Sequence, residues 1–256
     1  MLFPISDDNS DRTIKPVVNN ILILINVLVF IFLQGMGSNI GFTYSFSTVP
    51  AEIITGTDII TQSQVLVDPA TGHRFEIPGL GLTPIPVYLT TITSMFMHGG
   101  WAHIIGNMLY LWIFGDNIEN RLGHRRYLIF YLLCGVLASL SHVFATYFTG
   151  QNSLIPSLGA SGAISGVLGA YMLLFPQRKV NMLLLFRIPF SVPAWIALGF
   201  WIGFQIISGL GVLGGNEDGV AYAAHIGGFV AGMLLIKIFD KKRRDDNRPF
   251  TFTWRN

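Results

Sequence analysis

Six apolar stretches punctuate the chain: Val17 to Gln34, Thr93 to Gly115, Tyr127 to Phe148, Gly159 to Phe175, Ile188 to Ser208 and Val220 to Phe239, none with an Asp, Glu, Lys or Arg near its centre. Each is about as long as a helix must be to cross a hydrocarbon layer roughly 30 Å thick. Lipid offers the backbone no hydrogen-bond partners, so such a segment must satisfy its N–H and C=O groups internally, as a helix does. The composition agrees: 51% of the 256 residues are hydrophobic and 12% are charged, against about a quarter charged in soluble domains. The sequence therefore predicts an all-α, polytopic membrane protein. Six transmembrane helices form a compact bundle over residues 17–239, flanked by an N-terminal tail, 1–16, and a basic C-terminal tail, 240–256. A long outer loop, 35–88, separates helices one and two and is expected to hold short structured pieces. The first stretch lacks the small-x-small cleavage site of a secretory signal and is followed by further spans, so it reads as a retained anchor.

The basic residues fix an orientation. Arg12 and Lys15 precede the first stretch, Arg121, Arg125 and Arg126 follow the second, Arg178, Lys179 and Arg187 follow the fourth, and Lys237 onward closes the sixth, including the cluster Lys241 to Arg244. Of sixteen Lys and Arg residues, fifteen therefore fall on one side; Arg74 alone falls on the other, and the loop before the sixth stretch carries Glu217 and Asp218. Excess Lys and Arg marks the cytoplasmic side, which puts both termini inside and suggests a bacterial cytoplasmic (inner) membrane. The formal net charge of +2 gives no reason to expect nucleic acid as a partner. The one cysteine, Cys134, excludes an intramolecular disulfide and a multi-cysteine metal site, and its apolar setting points to packing.

With this orientation the polar residues of the spans gather at the outer face. His98 and His103 begin the second span, Ser161 the fourth and His225 the sixth. Polar side chains in a membrane helix face a partner or a water-filled cavity, so convergence at one depth reads as a site. On the fourth span Ser161, Ser165 and Gly169 recur at intervals of four, with Gly162 and Gly166 in the same small-residue run. On the sixth, His225, Gly228 and Gly232 recur at three and four. Small faces let two membrane helices approach closely, as a hydroxyl-to-imidazole hydrogen bond of about 2.6–3.2 Å requires. Ser161 and His225 are thus a candidate nucleophile and base. His103, Asn107 and Tyr110 share a face of span two, and the first two are candidate donors to a developing oxyanion, joined by the Ser161 amide near a helix N-terminus. This chemistry calls for no metal and no organic cofactor.

The ordered set His98-Gly99-Gly100-Trp101-Ala102-His103-Ile104-Ile105-Gly106-Asn107, Glu119-Asn120-Arg121-Leu122-Gly123, Gly159-Ala160-Ser161-Gly162 and Ala224-His225-Ile226-Gly227-Gly228 resembles the rhomboid intramembrane serine proteases, bacterial-type with a six-span core, over Val17 to Phe239. The resemblance implies an intramembrane serine endopeptidase that hydrolyses peptide bonds in or near transmembrane segments of membrane-protein substrates. Ser161 and His225 form its dyad, with an oxyanion hole of His103, Asn107 and the Ser161 amide. It implies a structural or site-lining part for His98, Gly159 and Gly162. Glu119 and Arg121 resemble a hydrogen-bonded pair that steadies the loop between spans one and two. By family analogy, span five, with Trp201 and Phe204, and the loop before His225 move to admit substrate. Some family members place a tyrosine four residues beyond the nucleophile, stacked on the catalytic histidine; here that position is Ser165, so another group must orient the imidazole.

Two other classes fit the same residues. A non-catalytic rhomboid-like scaffold would bind membrane helices without cleaving them. A transporter or channel would line a polar pathway with Ser161, His103, Asn107 and His225, although no convincing repeat accompanies them. His142 reads as structural, and His73 and His124 as solvated loop residues.

Overall fold

A computed structural model describes residues 2–67, 74–184, 187–213 and 221–240. His73, Glu217, Asp218 and the Lys241 to Arg244 cluster lie outside them. The chain opens with strand β1 (Leu2–Asp7) and enters α1 (Val17–Leu28), which continues as a π-helical turn over Val29–Leu33. The segment between the first two long helices holds α2 (Ile40–Ser45), α3 (Pro50–Thr55), a hairpin of β2 (Gln64–Val67) and β3 (Arg74–Ile77), and α4 (Thr90–Thr93) between two 3₁₀ turns. The long helices α5 (Trp101–Leu122), α6 (His124–Thr149) and α7 (Ser161–Leu174) follow. Strands β4 (Lys179–Leu184) and β5 (Ile188–Pro193) then lead into α8 (Ala194–Leu213) and α9 (Tyr222–Phe239).

The fold is mostly helical, and among the described residues three helices, His124–Thr149, Ala194–Gly211 and Tyr222–Phe239, are long and apolar enough to cross a bilayer. The all-α expectation is corrected by a three-stranded antiparallel sheet, β1-β4-β5, and the β2-β3 hairpin. The N-terminal segment enters that sheet: Leu2 pairs with Leu184 and Asp7 with Val180. The fifth apolar stretch begins as strand, and its helix starts at Ala194 rather than Ile188. The second span is shifted as well. Thr93 to Phe96 are the ends of short turns, His98 precedes the helix, and α5 runs on through Asp116, Glu119 and Arg121 to Leu122.

The late charges of α5 are tolerated because the N-terminal segment meets them. Pro16 sits at the N-cap of α1 and brings no side-chain cap, which leaves the first amide N–H groups without acceptors. Glu119 supplies them: its carboxylate accepts from the Val18 N–H at 2.9 Å and the Asn19 N–H at 2.7 Å, where a negative charge also opposes the helix dipole favourably. Asn120 accepts from the Thr13 and Ile14 N–H groups, and Asp116 pairs with Arg12 at 2.8 Å. The expected Glu119–Arg121 pair does not form. Glu119 also bonds His124 at 2.5 Å, and Arg121 holds Asp240, just past α9, through two hydrogen bonds of 3.0 and 2.8 Å. Both residues fasten helix ends far from the 35–88 segment, and His124 opens α6 as a partner of Glu119.

At the centre lies α7, with every residue from Gly162 to Tyr171 buried. Its 14 residues make a rod of about 21 Å, whereas the 26 residues of α6 reach about 39 Å. The short helix is thus enclosed among longer neighbours. Glycines set how close α9 comes. A Cβ on Gly228 would stand 2.1 Å from the Gly162 carbonyl oxygen, one on Gly232 1.9 Å from that of Gly166, and one on Gly169 2.2 Å from that of Phe229. These are main-chain contacts that no side chain other than hydrogen permits. The face of α7 toward α9 is thus Gly162-Gly166-Gly169, with Ser165 turned aside to donate to the Ser161 carbonyl at 2.6 Å.

Candidate active site

Ser161 is the first residue of α7, where an amide N–H has no helical acceptor behind it. The preceding loop is held from two directions. Thr48 and Ser157 exchange backbone hydrogen bonds of 2.9 and 2.7 Å, and the Gly159 N–H donates to the Ser94 carbonyl at 2.8 Å. The Thr48 hydroxyl closes the link with bonds of 3.0 Å to the Thr90 carbonyl and the Ser94 hydroxyl. The segment between the first two long helices therefore braces the loop that presents the serine. Gly159 has φ +121°, in the left-handed region, and a Cβ there would stand 2.8 Å from His103 Nε2. Both the turn and the close approach of the imidazole require glycine.

Across the glycine seam, the Ser161 hydroxyl and His225 Nε2 are 2.7 Å apart. The other ring nitrogen, Nδ1, lies 2.7 Å from Gln205 Oε1 of α8. If Nε2 is to accept from the serine, a neutral imidazole must carry its proton on Nδ1, and an amide oxygen is the right partner for it. The indole of Trp201 packs against the same ring, centroids 5.9 Å apart at 38°. Gln205 and Trp201 of α8 are thus the groups that touch the imidazole, and of the two Gln205 is absent from the sequence reading. The available signal was a lone glutamine in an otherwise apolar helix, since intramembrane polar residues mark sites.

These groups line a cavity of about 630 Å³ together with His103, Asn107, Tyr110, His142, Thr146 and the segment Gln151 to Leu158. Its lining holds no carboxylate, lysine or arginine among the described residues. Asn107 is nearly buried, and its amide nitrogen has no hydrogen-bond partner among them. His103 Nδ1 accepts from the Gly99 N–H at 3.3 Å, so the proton of the neutral ring sits on Nε2, beside Gly159. Three donors, from Asn107, His103 and the Ser161 amide, thus border one cavity, whereas Tyr110 contributes to its wall. His98 is fully buried beside it, edge to face with His103 at 5.1 Å. Gln34 clamps the His98 backbone, accepting from its N–H at 3.0 Å and donating to its carbonyl at 2.9 Å. His142, read from sequence as structural, lines the cavity. Phe204 is 62% exposed on the outside of α8, and the residues just before Ala221 lie outside those described. Cys134 is buried where a Cβ on Gly166 would stand 2.4 Å from its own.

The first turns of α7 and α9 and the second turn of α5 thus present a serine, a histidine and an asparagine to one cavity. The chain belongs to the rhomboid family: a family model of the rhomboid domain matches residues 87–242. It is similar to "Rhomboid protein 1, mitochondrial" of Saccharomyces cerevisiae, 34% identical over 160 residues that make 61% of this chain and 44% of that protein. "Presenilin-associated rhomboid-like protein A, mitochondrial" of Danio rerio is 37% identical over 145 residues, 54% of this chain and 37% of its own length. "Rhomboid protease GluP" of Bacillus subtilis is 35% identical over 137 residues, 53% and 25% respectively. The matched regions make up less than half the length of each of these relatives.

Proposed function

We propose that this protein is an intramembrane serine endopeptidase whose substrates are membrane-anchored proteins, cleaved in or near a transmembrane segment. The observation that carries the reading is the 2.7 Å contact of the Ser161 hydroxyl with His225 Nε2 beside the unpartnered Asn107 amide. His225 takes the hydroxyl proton as Ser161 attacks the scissile carbonyl. The charge that develops on the oxygen is met by the Asn107 amide, the Ser161 N–H and His103 Nε2–H. The proton on His225 then passes to the leaving amine, and water resolves the acyl-enzyme by the same route. No metal or cofactor enters these steps.

The substrate class follows from where the site lies. A helix in lipid has its carbonyls bonded internally, so a cleavable segment must unwind near the interface before its carbonyl reaches Ser161. The charge distribution supports six crossings over 17–239, with α1 and its π turn, α5, α6, α7, α8 and α9 as the spanning elements, both termini on the basic side and the site opening to the other. The described parts of the segment between the first two long helices then sit at the site's end of the bundle. Relatives named for mitochondria and one from Bacillus match at similar identity, so they give no support to the bacterial membrane expected from sequence.

The test is covalent labelling of the detergent-solubilised full chain with a fluorophosphonate probe. Labelling that disappears in both Ser161→Ala and His225→Ala is the expected result. Absence of labelling in folded wild-type protein would leave a non-catalytic, helix-binding scaffold.

A further inference from the structure

The long helix α8 turns most of its surface outward: Phe200, Phe204, Ile207 and Leu210 are each more than 60% exposed. Its buried side chains among the described residues are Ala194, Leu198 and Gln205, spaced 4 and 7, one narrow stripe of a helix. The first two are apolar and need nothing from their surroundings. The third is an amide, 7% exposed, whose burial is unfavourable without a hydrogen bond. Its carbonyl oxygen meets His225 Nδ1 at 2.7 Å. The other polar or titratable side chains that the packed helices turn into the cavity are, among the described residues, His103, Asn107 and Tyr110 from α5, His142 and Thr146 from α6, and Ser161 from α7. Among the described residues none of these is bonded to Nδ1, and no carboxylate lines the cavity.

We propose that Gln205 is the positioning residue of this site: by accepting the Nδ1–H of His225 it fixes both the tautomer and the tilt of the imidazole, so that Nε2 is held as the acceptor for the Ser161 proton. The inference rests on the serine-protease reading given above. A dyad whose base is free at Nδ1 divides between two tautomers, and only one can take a proton from serine. An amide oxygen selects that tautomer without adding charge to a site that excludes it, unlike the carboxylate of a Ser-His-Asp triad, which also stabilises the imidazolium. The indole of Trp201, one turn earlier on α8, supports the ring from its face. Because both residues ride on α8, the alignment of the base depends on where that helix stands.

Three full-length proteins in detergent test this: wild type, Gln205→Met, which keeps the volume and loses the acceptor, and Gln205→Glu, which keeps an acceptor and adds charge. Two readouts are taken, the rate of fluorophosphonate labelling as a function of pH and the ¹⁵N imidazole signals of histidine-labelled protein. Gln205→Met is expected to label about 10- to 100-fold more slowly, as a misaligned base should, and to lose the Nδ1–H signature of His225. Gln205→Glu is expected to recover most of that rate and to move the acid limb of the pH profile upward, because a carboxylate beside the ring favours its charged form. A Gln205→Met protein with the wild-type rate, pH profile and Nδ1–H signal would overturn the proposal. If wild type does not label yet its Nδ1–H signal vanishes in Gln205→Met, the protease reading falls while the positioning role stands. If Gln205→Met fails to fold, the Gln205→Glu profile decides alone, an unmoved acid limb counting against the role.

Discussion

The two ends of the bundle treat polar groups in opposite ways. At the basic end, Glu119 caps α1, Arg12 pairs with Asp116, Arg121 with Asp240, and Asp7 accepts from Asn117 at 2.7 Å and Tyr171 at 2.5 Å. Arg178 donates to Asn117 and to Asp11 and covers the Phe175 ring at 4.0 Å. These charges are used to hold one chain segment against another. At the site's end, among the described residues, no ion pair borders the cavity and Asn107 keeps an amide nitrogen unpaired. An unpaired buried donor is a cost in the resting protein, and it becomes an asset when an oxyanion arrives. One end is built for cohesion and the other for a reaction.

That contrast can be broken in four ways, in decreasing order of effect. His225→Ala is expected to lower turnover by roughly 10³- to 10⁶-fold while thermal unfolding in detergent stays near the wild-type midpoint; a large fall in the midpoint would mean that this end also carries cohesion. Asn107→Ala should lower the rate about 10- to 1000-fold without loss of stability, since its amide nitrogen has no partner to forfeit, and an unchanged rate would remove it from the oxyanion hole. Arg121→Ala strands the buried Asp240 carboxylate and should cost about 1–3 kcal/mol in stability. Its labelling rate per folded molecule should match wild type, and a slowed rate would couple the two ends.

The smallest effect is a pH dependence at the basic end. Burial pushes the Asp7 carboxyl up from 3.8 to about 7, against the pull of the Tyr171 hydroxyl and Arg178. The folded chain then binds a proton there that the unfolded chain has released, so stability from this group falls as pH rises from about 4 through about 7. The unfolding midpoint should drop between pH 5 and pH 8, and the drop should shrink in Asp7→Asn. Equal drops in both proteins would assign the slope to other groups.

How much of this could be read from the chain depended on the range of the interactions. Ser161 and His225 were legible because each is a polar residue in a run of small and apolar ones, and the glycines at three- and four-residue spacing announced the close approach. The helix limits were less legible. Charges beginning at Asp116 looked like the end of a span, yet partners about a hundred residues earlier in the chain absorb them. The β1–β4 pairing joins Asp7 to Val180, a separation that local periodicity cannot sense, so the N-terminal strand was read as tail. Glu119 and Arg121 were matched as a pair by resemblance, and only the packing showed that each holds a different helix end. Gln205 was overlooked because its segment was weighed for bulk and motion rather than for its one amide.

The seam between α7 and α9 has an effect on accuracy. Where Gly162 meets Gly228 and Gly166 meets Gly232, peptide planes touch with nothing adjustable between them. No rotamer can flip there to widen or narrow the gap. The separation of the two rods that carry the hydroxyl and the ring is therefore set by backbone against backbone, in the manner of a gauge block.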